Sequence, residues 1–76
     1  MNDTAEKPSP LPSLKKIREK QGLTQTELAR RAGLASGMTV SRLEVGFTSD
    51  PMLATVIQIA EALGVSIEDL LRVPRH

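Results

Sequence analysis

Thr24-Gln-Thr-Glu-Leu-Ala-Arg-Arg-Ala-Gly33, then Leu34-Ala35, then Ser36-Gly-Met-Thr-Val-Ser-Arg-Leu-Glu-Val-Gly46, reads as two short helices joined by a tight turn. Thr24 followed three residues later by Glu27 is a capping box, in which each side chain satisfies an orphan backbone donor of the other residue. Gly33 stops the first of the two helices and Ser36 caps the second, which Gly46 stops. Leu28, Ala29 and Ala32 lie on one face of the first helix and Val40 and Leu43 on one face of the second. The small alanines let the two helices approach closely. This is the pattern of a helix-turn-helix.

The same punctuation continues on both sides. Ser13 is positioned to cap a helix over 14–21 that turns Leu14 and Ile17 inward and ends at Gly22. Asp50-Pro51 is a favourable cap with proline at the first helical position, and the helix it predicts carries Leu53, Val56, Ile59, Ala60 and Leu63 on one stripe before Gly64. Ser66-Ile67-Glu68-Asp69 starts a short fifth helix with Leu70 and Leu71, closed off by Pro74. No segment alternates as a half-buried strand does. The expected fold is all-α: a compact five-helix domain over residues 13–73, with the helix-turn-helix at helices two and three. Residues 1–12, with Pro8, Pro10 and Pro12, read as a disordered or extended tail, and 74–76 as a short C-terminal tail.

Composition bounds the function. A chain of 76 residues, 39% hydrophobic, buries only roughly 60% of the surface its unfolded form exposes, so a homodimer interface is a natural supplement. The absence of cysteine excludes a disulfide framework and thiolate zinc sites. No apolar run approaches the roughly 20 residues that span a bilayer, and the N-terminus lacks the order of a signal peptide. The expected location is therefore the cytoplasm, at the nucleoid if the protein binds DNA. Catalysis has little to work with: the one histidine is His76, the carboxylates sit at caps or exposed positions, and no phosphate-binding loop or metal-ligand cluster is present. Neither an enzyme, a cofactor nor a metal is expected.

Leu14-x-x-Ile17-Arg18, Gly22-Leu23-Thr24-Gln25, Leu28-Ala29, Ala32-Gly33, Val40-Ser41-Arg42-Leu43-Glu44 and Ile59-Ala-Glu-Ala-Leu-Gly-Val-Ser66 together resemble the Cro/phage-repressor (xenobiotic-response-element) type of helix-turn-helix DNA-binding family. The resemblance covers about residues 14–71. It implies that the third helix enters the major groove of double-stranded DNA while the N-terminus of the second rests on the phosphates. It also implies that Glu44 pairs with Arg18 as a structural lock. Two segments, Leu34-Ala35 and the loop 46–51, are one residue longer than the family's usual pattern, which bears on the register of Ser36 and Gly37.

Residue chemistry supports the same placement. Gln25 lies in the first turn of a capped helix, where free N–H groups and the helix dipole favour a phosphate. With Val40 and Leu43 inward, Gly37, Met38, Ser41 and Arg42 face outward as candidates to contact bases. Arg42 can grip guanine through two hydrogen bonds, its plainer role being a phosphate contact. Ser36, Thr39, Thr48, Lys15 and Arg30 are the further candidates for phosphates, the alternative for the two cations being a solvated helix face. The loop 47–50 lacks basic residues and otherwise reads as polar, with Phe47 as its hydrophobic anchor.

These readings predict a sequence-specific transcriptional regulator, most simply a repressor, bound as a homodimer to a two-fold operator. Leu70, Leu71 and Val73 are its dimer candidates, with plain core packing as the alternative for the two leucines. The competing expectation is an antitoxin or other protein-interaction module with a protein partner. A net charge of +1 looks low for a DNA binder, but it is unevenly spread. Residues 14–45 hold seven basic side chains against three acidic, whereas 46–71 hold four acidic and no basic. Few phosphates are neutralised per monomer, which points again to a dimer.

Overall fold

The caps and glycines divide the chain much as their chemistry requires. In a computed structural model, which describes residues 8–74, the helices are α1 (Leu14–Lys20), α2 (Gln25–Ala32), α3 (Gly37–Glu44), α4 (Leu53–Leu63) and α5 (Ile67–Leu71). There is no strand among the described residues. α2 packs on α3 and on α4, and α5 packs on α4 and α1. The all-α, five-helix architecture is therefore as expected.

Two capping boxes start helices where the Thr/Ser-x-x-Glu/Asp spacing places them. Thr24 Oγ1 accepts from the Glu27 N–H at 3.0 Å while the Glu27 carboxylate accepts from the Thr24 N–H at 2.8 Å. Ser66 and Asp69 do the same at 3.0 and 3.1 Å. The backbone hydrogen bond from Thr24 holds the Glu27 carboxyl below the usual carboxylate range, and that from Ser66 does so for Asp69. A carboxylate with a depressed folded-state pKa contributes stability that is full above its unfolded pKa and is lost as pH falls through the folded value. The melting temperature is accordingly expected to fall on acidification below about pH 4. In the Glu27→Gln/Asp69→Asn double variant, calorimetry across that range should show a shallower acid limb.

The core is assembled from Leu14, Leu28, Val40, Leu43, Ile59 and Leu70, each at most 1% exposed, with Ala29, Ala32, Val56, Ala60 and Leu63 around them. Leu11 joins it at 2% exposure. The segment read as a tail thus anchors the domain from residue 9 onward: Ser9 Oγ donates to the Leu43 carbonyl at 2.7 Å and accepts from the Leu11 N–H at 3.0 Å. Proline punctuation hid this, because a single leucine between prolines carries no period. Residues 1–7 of that tail, and 75–76 at the other end, lie outside the described residues.

Three local expectations are corrected. Ser13 makes no side-chain cap; it is already in the right-handed helical region (φ −94°, ψ 0°), and its hydroxyl donates across the fold to the Arg72 carbonyl. Asp50-Pro51 does not start α4: the N-cap is Met52, in extended conformation, and the first helical bond runs from the Val56 N–H to the Met52 carbonyl at 3.2 Å. The link out of α3 is tied back by the bond from the Thr48 N–H to the Arg42 carbonyl, and α4 begins two residues later than local capping chemistry asks. Leu53 consequently leaves the buried stripe and is 67% exposed, while Val56, Ile59, Ala60 and Leu63 remain on it.

Polar latches fix the helices to one another. Gln21 donates its side-chain amide to the Leu63 carbonyl at 2.8 Å, and Gln58 donates to the Ala32 carbonyl at 3.1 Å. Both satisfy carbonyls near helix C-termini, which lack intrahelical partners.

Candidate nucleic-acid interface

α2 and α3 meet across the turn Gly33 to Ser36. Gly33 takes the left-handed conformation (φ 74°) and its N–H and that of Leu34 return to the carbonyls of Arg30 and Ala29. Ser36 then caps α3 by accepting from the Met38 N–H at 3.2 Å. The first turn of α3 is thereby brought against the first turn of α2. A Cβ at Gly37 would lie 2.9 Å from Thr26 Oγ1 and 3.0 Å from the Thr26 Cα and N. Only glycine fits there. The structure therefore gives Gly37 a packing role, and it makes Thr26, absent from the sequence-derived candidates, the backbone on which the third helix rests.

Between these first turns lies a shallow depression lined by Gln25, Thr26, Ser36, Gly37, Met38 and Ser41. Met38 is 56% exposed, Arg42 is exposed, and Thr39 and Ser41 are half-buried. A second depression on the other side of Thr26 is lined in part by Arg30, Ala35 and Ser36. Lys15, exposed on α1, lines neither. Thr48 lies past the end of α3, its N–H donating to the Arg42 carbonyl at 3.1 Å. Among the named candidates, then, the structure gathers Gln25, Ser36, Gly37, Met38 and Ser41 on one face, extended by Arg42 and Thr48 at one end and Arg30 at the other side.

Behind this face sits a buried polar lock. Arg18 Nε donates to Glu44 Oε2 at 2.6 Å and Nη2 to Glu44 Oε1 at 3.1 Å. Arg18 Nη1 donates to the Leu23 carbonyl at 2.7 Å. Arg18 and Glu44 side chains are only 9% and 2% exposed. Donation to the Glu44 carboxylate raises the Arg18 pKa above its ordinary value. Gln25 completes it, donating its amide to Glu44 Oε1 at 2.9 Å. One carboxylate thus ties together α1, the start of α2 and the end of α3. Gln25 therefore has its amide nitrogen engaged inside the protein and offers the backbone N–H of its turn to an anion, together with that of Thr26, since neither has an i−4 acceptor within the helix.

Two surface expectations change. Phe47 is no anchor: it is 74% exposed and its ring lies under Arg42, the guanidinium carbon 5.5 Å from the centroid. Leu70 is fully buried, so it belongs to the core; Leu71 and Val73 are 51% and 71% exposed. A further apolar group, Met52, Leu53 and Ile57, is exposed at the start of α4; the misplaced cap concealed it. Among the described residues no group of three or more His, Cys, Asp or Glu is placed to hold a metal ion, and no helix is long and apolar enough to cross a membrane.

A capped helix that lays its open amides beside a second helix, held rigidly across a glycine turn with polar side chains outward, defines a helix-turn-helix DNA-binding domain. Residues 14–70 match the helix-turn-helix family model HTH_3, and the chain belongs to this Cro/C1-type family. Among solved structures it is similar to one described as a hypothetical transcription factor NHTF from Neisseria, with a TM-score of 0.75 and 31% sequence identity over 97% of this chain and 84% of that one. A comparison with curated proteins gives no significant match. The protein is a DNA-binding domain of the transcription-regulator type.

Proposed function

We propose that the protein is a sequence-specific repressor that binds a two-fold operator as a homodimer in the cytoplasm, with α3 of each copy in the major groove. The observation that carries this reading is the single face shared by the first turns of α2 and α3, backed by the Arg18–Glu44–Gln25 lock. Met38, Ser41 and Arg42 are the side chains offered to base edges, with Gly37 allowing the backbone to come close. The backbone amides at Gln25 and Thr26, with Ser36, Thr39, Thr48, Arg30 and Lys15, are offered to phosphates. Leu71 and Val73 are the residues offered to a second copy. No catalytic chemistry is assigned to the protein.

One domain makes few base contacts, and each good bidentate contact discriminates by about 1–3 kcal/mol. Selection from random duplex DNA is therefore expected to enrich paired half-sites with centres about 10–10.5 base pairs apart. The Arg42→Ala variant should lose its preference at one base pair per half-site. Failure of the wild-type protein to enrich any sequence at low salt overturns the reading; enrichment of single half-sites overturns the dimer.

The apolar group Met52, Leu53 and Ile57 supports a second reading, a module whose main ligand is another protein, as in an antitoxin. A stoichiometric complex with a co-encoded enzyme that the chain inhibits, formed by wild type and lost in Leu53→Glu, would establish it.

A further inference from the structure

Phe47 is the only aromatic residue in the chain, and the fold leaves it outside the core at 74% exposure. Its place is set by the way α3 ends. Gly46 turns left-handed at φ 81°, and the following chain doubles back until the Thr48 N–H meets the Arg42 carbonyl at 3.1 Å. That return lays the phenyl ring against the Arg42 side chain, with the guanidinium carbon 5.5 Å from the ring centroid. Arg42 is the one basic residue of α3, and it stands on the face offered to DNA.

An exposed arginine samples many rotamers, and most protein–DNA hydrogen bonds go to phosphate and sugar, which carry no sequence information directly. A ring beneath the guanidinium changes both conditions. The planar cation is held by its face through the quadrupole of the ring, while its N–H edge stays free to donate. Rotamers that ordering on DNA would otherwise have to exclude are excluded beforehand.

We propose that Phe47 is a specificity-determining positioning residue: it holds the Arg42 guanidinium by its face so that the N–H edge is presented to a base edge, the O6 and N7 pair of guanine being the acceptor set that fits. The inference rests on the DNA-binding reading above. It predicts that the loop after the reading helix contributes to sequence discrimination through Arg42 without touching DNA itself.

The test compares affinities of the wild-type protein, Phe47→Leu, which keeps apolar bulk and removes the ring face, and Phe47→Trp, which keeps a face. Binding is measured on the selected operator and on a site altered at the base pair that Arg42→Ala ceases to distinguish. Phe47→Leu is expected to lower discrimination at that base pair by about two- to fivefold, with the salt dependence of binding unchanged. Phe47→Trp should retain it, and adding Phe47→Leu to Arg42→Ala should cost nothing more. Wild-type discrimination in Phe47→Leu overturns the proposal. So does relaxation at a different base pair, which would make the ring itself a DNA contact, or a gain in affinity, which would mean that the ring holds Arg42 away from DNA. A wild-type protein that enriches no sequence removes the DNA-binding reading instead, and that is seen before any Phe47 variant is made.

Discussion

Replacing Glu44 with alanine is expected to cost about 3–5 kcal/mol, because it leaves the buried Arg18 guanidinium with only the exposed Glu19 carboxylate, 3.9 Å from Nη2, as counter-charge. For 76 residues the whole folding free energy is of order 4–11 kcal/mol, so the variant should melt tens of degrees lower or be unfolded at 37 °C. The size of the effect comes from burial. An exposed ion pair contributes about 0–1 kcal/mol, but this carboxylate is 2% exposed and accepts from Arg18 twice and from Gln25 once. Two further variants separate the loss of attraction from the stranding of a charge. Gln25→Ala removes one charge-assisted hydrogen bond to the carboxylate and should cost about 1.5–3 kcal/mol. Removing both charges, as Arg18→Met/Glu44→Leu, should recover much of the stability lost in Glu44→Ala. A melting temperature for Glu44→Ala within a few degrees of wild type would contradict the pairing.

The second large effect is expected at Gly37, where the usual rule reverses sign. Glycine to alanine inside a helix ordinarily stabilises by about 0.5–1 kcal/mol, and the φ of Gly37 is an ordinary one that alanine can adopt. Here the added Cβ meets Thr26 backbone at 3.0 Å, an approach that a rotamer change cannot relieve. The start of α3 must move away from α2, at a cost on the order of 1–3 kcal/mol for overpacking. Gly37→Ala should therefore melt lower than wild type and, with its reading helix displaced, bind the operator at least tenfold more weakly. Thr26→Ala, which clears only Oγ1, should not rescue it. A more stable Gly37→Ala would show that the two helices do not approach as described.

What could be read from the sequence was what is local or periodic. The boxes at Thr24–Glu27 and Ser66–Asp69 close within one turn, so four residues determine them. The stripes Leu28-Ala29-Ala32 and Val56-Ile59-Ala60-Leu63 follow from helical geometry alone. The errors arose where distant chain decides. Asp50-Pro51 has sound capping chemistry, yet the path out of α3 delays the helix until Leu53. Ser13 has a hydroxyl suited to capping, but a carbonyl of residue 72 takes it. Leu11 is invisible among prolines until the Leu43 carbonyl gives Ser9 a reason to lie there.

Candidate site residues divide in the same way. The outward positions Met38 and Arg42 follow from the inward ones, and the structure exposes both. That Gly37 touches Thr26, that Gln25 turns its amide inward to Glu44 and that Phe47 lies under Arg42 all depend on how two helices and a loop end are juxtaposed. No spacing within one segment encodes those contacts. A glycine directly after a helix cap was the one available signal, since α3 gives it no left-handed conformation to justify its presence.

The bond from the Ser13 N–H to the Leu70 carbonyl, at 3.1 Å, and that from the Ser13 hydroxyl to Arg72 bring the entry and exit of the folded unit to one corner. Topologically the domain is almost a closed ring. With Ser13 and Arg72 this close, the domain could sit within a surface loop of another protein without prising that loop apart.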